Sequence, residues 1–173
     1  MKDAHIRAIE IARKNGMLIS FDPNLRFPLW NDKNKLHSRV NEFIPLCDIL
    51  KISDEELEFI TGENDIKKAA PKLFAKGVKL IAYTCGKDGA YTFTENAEAF
   101  SPAEKVNAVD TTGAGDGFIG SFLWKLQSLG INAANISEAD ECAFKKCLDF
   151  SNRFCAISVQ SEGAIASYPN NFK

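Results

Sequence analysis

Histidine is almost missing from this chain: only His5 and His37 occur among its 173 residues. Neither stands near a second ligand at metal spacing, so a zinc centre is not expected. No serine has the surroundings of a nucleophile elbow, which leaves a Ser-His-Asp apparatus without support. Long apolar runs are absent, and the first residues lack the layout of a secretory signal, so no membrane segment and a cytoplasmic setting are expected. Basic excess is absent too. The 21 lysines and arginines face 23 acids for a formal charge of −2, which argues against a nucleic-acid partner. The five cysteines, Cys47, Cys85, Cys142, Cys147 and Cys155, form no C-x-x-C pair and read as reduced thiols, most of them in apolar settings. No linker, internal repeat or low-complexity tract interrupts the chain.

What is present is an alternation of strand and helix patterns over one domain, residues 1–173. Residues 3–14 suit a helix with Ile6, Ile9 and Ala12 inward, stopped by Asn15-Gly16. Met17–Phe21 reads as a buried strand and Asp22-Pro23-Asn24 as a turn. A helix over 33–44, a strand over 48–52 and a short helix over 54–61 follow, then a helix over 65–76 that Pro71 should kink or shift. Strands are expected at 78–84, 91–94 and, as a strand end, Val106–Val109. A helix carrying Phe118, Ile119, Phe122, Leu123, Leu126 and Leu129 and a last helix over 138–157 complete the set. Such alternation predicts a mostly parallel sheet with helices on both faces, its functional groups gathered at the C-terminal strand ends.

One stretch carries chemistry: Asp110-Thr111-Thr112-Gly113-Ala114-Gly115-Asp116-Gly117. Two glycines bracket an alanine immediately before an apolar helix. Free backbone N–H groups, the positive end of a helix dipole and one carboxylate then lie close together. Glycine permits a positive φ and lets an anion approach the main chain. That corner suits a reaction in which a hydroxyl loses a proton while charge builds on a phosphoryl group. A plain capped helix start, with Thr112 as N-cap, would explain an acid there but not both glycines. Gly115-Asp116-Gly117-Phe118-Ile119-Gly120 also spells G-x-G-x-x-G. A dinucleotide fold would need a strand soon after the helix, whereas another helical stretch follows Ile131–Ile136, so that reading is rejected.

The D-T-x-G-A-G-D run resembles the signature of the ribokinase-like (PfkB-type) carbohydrate kinases, in its fructokinase branch above all. The resemblance implies a three-layer α/β/α fold. It implies Asp116 as general base for a sugar hydroxyl and the amides of Gly113, Ala114 and Gly115 as an anion hole, with no Walker-type lysine. Further stretches match in the family's order. Asp22-Pro23-Asn24-Leu25-Arg26 with Pro28-Leu29-Trp30 resembles fructokinases and implies a substrate-side role for Asn24 and Arg26. Lys51-Ile52-Ser53-Asp54-Glu55-Glu56 is similar to the N-x-x-E motif, with serine where asparagine is common. It assigns Glu56, and Lys51 beside it, to the Mg²⁺ and phosphate network, although Ser53-x-x-Glu56 is equally a capping box. Thr84-x-Gly86-x-x-Gly89 is similar to a loop along the nucleotide phosphates, although a hairpin turn would use the same glycines. Asn152 aligns with a residue bordering adenine. Asp110, Thr112, Ser158, Ser161, Gly163 and Ser167 align with a monovalent-cation site, where K⁺ is the candidate ion.

All these matches belong to the C-terminal half of the family's fold, so the domain is expected to be incomplete. The N-terminal sugar-binding strands and lid are expected to be absent. Three functions follow from the resemblance. The first is ATP-dependent phosphorylation of a sugar, fructose first and 2-keto-3-deoxygluconate next, poorly active or inactive in this chain alone. The second is a nucleotide-binding fragment without turnover, and the third an assembly piece. Exposed sheet edges would favour self-association or pairing with the missing half.

Overall fold

The structure is a computed structural model that describes residues 2–170 and 172. Helix α1 (Lys2–Lys14) leads into strand β1 (Ser20–Phe21), followed by α2 (Lys33–Phe43), β2 (Ile49–Ser53), α3 (Asp54–Thr61) and α4 (Ile66–Phe74). Strands β3 (Leu80–Thr84), β4 (Ala90–Phe93) and β5 (Glu98–Ser101) come next, then α5 (Ala114–Ser128) and α6 (Glu141–Ser158). The sheet runs β1-β2-β3-β4-β5. β1, β2 and β3 pair in parallel, while β4 is antiparallel to both β3 and β5. Four of the five strands therefore point the same way, and β4 alone is reversed.

Alternation along the strands builds two cores. Leu50, Ile52 and Ile81 face the layer of α2, α3 and α4, where Leu36, Val40, Leu57, Ile60 and Leu73 are buried. Ile49, Leu80, Ala82, Ala90 and Ala99 face α5 and α6, packing on Phe118, Phe122, Leu126, Phe144 and Leu148. Helices thus cover both faces, which is the three-layer arrangement expected. Fully buried Phe122 and Phe144 each contribute about 1.5–3 kcal/mol relative to exposure. Helix α1 is the exception, since none of its residues is buried. Ile6, Ile9 and Ala12 are half-covered, and Ile11 and Met17 are 50% and 59% exposed.

Helix starts follow their caps. Asp32 accepts from Asn34 and Lys35 N–H, Asp65 from Lys67 N–H and Asp140 from Ala143 N–H. The last cap moves the start of α6 to Glu141, and 136–138 forms a 3₁₀ turn instead. Pro71 lies inside α4, which ends at Phe74. β1 shortens to two residues because, at the sheet edge, it has one neighbour only. Two expectations are corrected. Val106–Val109 is not a strand but part of an exposed coil, with Val109 62% exposed, because no neighbouring strand is available to pair with it. β5 is a strand the sequence does not predict: its buried residues are Ala99 and Ser101 while Phe100 points outward, so its alternation carries no apolar signal.

Four of the thiols are buried or half-buried, while Cys142 is exposed on α6. Burial pushes Cys47, Cys147 and Cys155 up to about 12 and Cys85 to about 11, and all five cysteines are free.

Candidate functional site

The rim at the carboxyl ends of β1, β2 and β3 collects three of the sequence motifs, and the N-terminus of α5 comes up to Lys51 of β2 from the other helical layer. Residues 110–117 form a turn held at several points. Val109 and Asp110 N–H donate to the Val159 carbonyl at 2.7 and 3.2 Å. Asp110 Oδ1 accepts from Thr112 N–H at 2.8 Å, and Oδ2 accepts from Gly163 N–H at 2.9 Å. The Thr112 side chain and these amides hold the Asp110 carboxyl below its ordinary range. Its contribution is present above the ordinary carboxylate pKa and is lost only as pH falls through the depressed value.

Gly113 is the N-cap of α5 at φ 78°. Its carbonyl accepts from Gly117 N–H and from the Tyr168 hydroxyl, each at 2.8 Å. A Cβ on Gly113 would lie 2.7 Å from Ala164 Cβ, so both backbone shape and space demand glycine. Ala114 N–H is already engaged, donating to Thr111 O at 3.1 Å. The N–H groups of Gly113, Gly115 and Asp116 donate to nothing among the described residues. Asp116 sits in the first turn of α5 and is exposed. The turn therefore presents three unpaired donors and one open carboxylate at the positive end of a 15-residue helix.

The Asp22–Arg26 turn is strained at two places: Asn24 and Arg26 adopt φ 40° and 44°. Between them Leu25 is buried, 3% exposed, and its N–H donates to Glu56 Oε1 at 3.1 Å. Both flanking side chains are left exposed on the rim. Glu56 Oε2 accepts from Ser53 N–H at 3.0 Å, the capping-box contact at the start of α3. One carboxylate thus caps a helix and latches the neighbouring turn. Glu56→Ala strands both amides. It is expected to destabilise the chain by about 1–3 kcal/mol in urea denaturation and to speed amide exchange at Leu25 relative to Leu57. An unchanged Leu25 exchange rate would contradict the latch.

Other expected residues lie in the following places. Thr84 ends β3, and Gly86–Asp88 makes the tight hairpin into β4, closed by Cys85 N–H to Gly89 O at 2.8 Å. Asn152 is buried on α6, and its Nδ2 faces Ser101 O, Ser101 Oγ and Pro102 O at 2.9, 3.0 and 3.2 Å. It fastens the start of the coil that leads to the turn. Of the six aligned with a cation site, Asp110, Thr112 and Gly163 meet through the Asp110 carboxylate. Ser158 is buried with its carbonyl accepting from Ser161 N–H at 3.3 Å, Ser161 is exposed, and Ser167 Oγ donates to Ala164 O at 2.8 Å. Two contacts have no signal in the sequence. Tyr168 clamps Gly113, and its hydroxyl is pushed up by burial and by the Asp116 charge. Asp22 pairs with Lys51.

An α/β/α sheet with a glycine-rich turn opening α5 beside the sheet's carboxyl rim defines a domain of ribokinase-like fold. The chain belongs to the pfkB family of carbohydrate kinases, whose profile matches residues 2–171. It is 38% identical over 167 residues to fructokinase-2 of Solanum lycopersicum, covering 96% of this chain and 49% of that protein. It is 36% identical over 173 residues to probable fructokinase-3 of Arabidopsis thaliana, covering 99% and 49%. Among solved structures, fructokinase from Vibrio cholerae O395 with fructose, ADP and calcium bound superposes with a TM-score of 0.85 at 29% identity, over 98% of this chain and 53% of that one. Fructokinase from Xylella fastidiosa with bound ATP gives 0.88 at 25% identity, over 96% and 53%. The chain spans about half the length of the curated relatives it matches. No helix among the described residues is long and apolar enough to cross a membrane.

Proposed function

We propose that this chain supplies the nucleotide-binding half of a fructokinase-like kinase, which moves the terminal phosphoryl group of ATP to a primary hydroxyl of a sugar. The observation that carries this is the turn itself: unpaired N–H donors of Gly113, Gly115 and Asp116 beside the exposed Asp116 carboxylate. Asp116 takes the proton from the attacking hydroxyl. The free donors and the α5 dipole face the charge that grows on the transferred group. Ala114 completes the turn by fixing its shape, since its own N–H is bonded to Thr111. Fructose is the preferred sugar because the relatives are fructokinases; 2-keto-3-deoxygluconate is the alternative.

The donor set fits the anionic end of ATP. Mg²⁺, when bound, would neutralise phosphate charge, and Glu56 is the carboxylate that would hold its shell. Because both Glu56 oxygens already accept amides, Glu56 would serve through water. K⁺ is assigned to the segment that joins Asp110, Thr112, Ser158, Ser161, Gly163 and Ser167, where it would stiffen the turn. Asn24 and Arg26 reach the substrate side, Thr84 and Gly86 border the phosphates on a hairpin whose shape Gly89 sets from its buried place against β5, and Asn152 supports the base side from α6.

The sugar side is the part this chain does not complete. No residue of helix α1 is fully buried and β1 pairs on one side only, so the preceding half of the fold is proposed to dock there. In calorimetry the chain alone is expected to bind ATP and ADP, and Gly115→Val to abolish that binding. Fructose-dependent ADP release is expected only when the preceding half of a fructokinase relative is supplied. No nucleotide binding by the wild-type chain would overturn the reading. Full fructose-dependent turnover by the chain alone would overturn the requirement for the other half.

A further inference from the structure

The backbone at the start of α5 is gripped from behind by two side chains that belong to none of the sequence motifs. In a trans peptide the C=O and the N–H point in opposite directions, so a group that holds the carbonyl also aims the amide. Gly115 N–H, one of the unpaired donors, shares its peptide unit with the Ala114 carbonyl. That carbonyl accepts from the Cys155 thiol of α6 at 3.3 Å. The preceding peptide unit is held in the same way, since Gly113 O accepts from the Tyr168 hydroxyl at 2.8 Å. Both donors keep their protons. Burial pushes the Cys155 thiol up to about 12, and burial together with the Asp116 charge raises the Tyr168 hydroxyl. Tyr168 is itself fixed in place: its ring lies 5.3 Å from that of Phe154, the neighbour of Cys155 on α6. These two rings fill the space beside Gly117, where a Cβ would meet Phe154 Cε1 at 3.1 Å and Tyr168 Cε1 at 3.2 Å. Gly117, which is neither a free donor nor the acid, is thereby accounted for.

We propose that Tyr168 and Cys155 are positioning residues of the Gly113–Asp116 turn: they hold two successive carbonyls back, so that the Gly115 N–H stays aimed at the bound phosphoryl group. This deepens the reading of the turn as the phosphoryl site, and rests on it. Neither side chain touches the ligand; both act through the main chain. Gly113 and Gly115 lack the Cβ that would limit their backbone, so the aim of the donor has to be set from outside the turn. A donor fixed in advance stabilises charge without reorienting as that charge grows. The two grips are unequal, because a phenol is a strong donor and a thiol a weak one. Tyr168 supplies the larger share, and Cys155 acts on the peptide unit that carries the free donor.

The test titrates ATP, AMP and inorganic tripolyphosphate into the wild-type chain, Tyr168→Phe, Cys155→Ala, Cys155→Ser and the double variant Tyr168→Phe/Cys155→Ala. Tyr168→Phe keeps the ring against Phe154 and loses only the hydroxyl. It is expected to weaken ATP and tripolyphosphate by about 3- to 10-fold, the worth of one hydrogen bond, with AMP little changed. Cys155→Ala is expected to weaken them by about two- to threefold, and Cys155→Ser, which still donates, to restore the wild-type affinity. The double variant combines the losses and lowers the ATP-to-AMP ratio furthest. The NMR shift that tripolyphosphate induces at the Gly115 amide should shrink in the double variant and persist in Cys155→Ser. A merely structural pair would lower all three affinities together, in step with urea stability. If Tyr168→Phe does not fold, the two Cys155 variants decide: a ratio lost with alanine and regained with serine supports the proposal, and equal ratios overturn it. Wild-type binding of ATP with an unchanged ratio in the double variant overturns the positioning roles and leaves the phosphoryl site standing. Tripolyphosphate binding that depends on Tyr168 and Cys155, without ATP binding, would uphold the positioning roles and sink the kinase reading. Binding of none of the three ligands by the wild-type chain would sink both.

Discussion

Asp116→Asn, assayed in this chain with the preceding half of a fructokinase relative supplied, is expected to lower fructose-dependent ADP release by about 10²- to 10⁴-fold, the usual worth of a positioned general base. ADP affinity should stay within about twofold, because the side chain is exposed and surface exchanges of this kind cost little. The two readouts separate chemistry from binding. The carboxylate acts on the hydroxyl only as the proton leaves, whereas the amides and the α5 dipole serve the bound nucleotide throughout. Asparagine keeps the size of the side chain and loses only the basic oxygen, so the turn should hold its shape. Turnover within threefold of wild type would remove Asp116 from the mechanism. ADP affinity falling in step with turnover would recast it as a structural acid of the first helical turn, where an anion is worth about 0.3–1 kcal/mol.

Gly89→Ala is expected to cost about 4 kcal/mol or more, a loss reserved for severe local conflict. Gly89 has φ 109° and ψ −151°, a region open essentially to glycine alone. A Cβ there would meet Ser101 O at 2.2 Å, Pro102 Cα at 2.8 Å and Ala103 N at 2.9 Å. All three are backbone atoms of β5 and the coil after it, so no side-chain rotation relieves the clash. Gly86, at the other end of the same hairpin turn, has φ 51° and nothing within 4 Å of an added Cβ. Gly86→Ala should therefore cost only about 1 kcal/mol, the ordinary penalty of a left-handed position. Urea denaturation of the two variants gives the comparison, and equal losses would refute it. The contrast separates two glycines that one short motif presents as equivalent. Gly89 is accounted for by packing of the hairpin on β5, and only Gly86 lies at an exposed tip available to a ligand.

The elements that were legible are those whose cause is local. The turn from Asp110 to Gly117 announced itself through glycines beside an apolar helix, and Ser53-x-x-Glu56 through capping-box spacing. The structure then gave Glu56 a second duty, at Leu25, that spacing could not encode because the two residues are 31 apart. The same distance problem hid Tyr168, 55 residues from the carbonyl it clamps, and Asp22, 29 residues from Lys51. β5 was hidden for a different reason: its inward residues are small or polar, so a period of two left no trace in hydrophobicity. Val106–Val109 misled in the opposite direction, since β-branched residues favour a strand only where a neighbouring strand exists to pair with them.

Strand order in this sheet repeats chain order from β1 to β5. Each new strand is laid against the one made just before it, and no gap waits for a piece arriving later. The fold can thus be assembled progressively along the polypeptide, by helical crossovers from β1 to β2 to β3 and by short hairpin closures from β3 to β4 to β5. The sheet therefore begins at an edge strand, β1, and ends at another, β5, and its order leaves no strand to be inserted between two already paired.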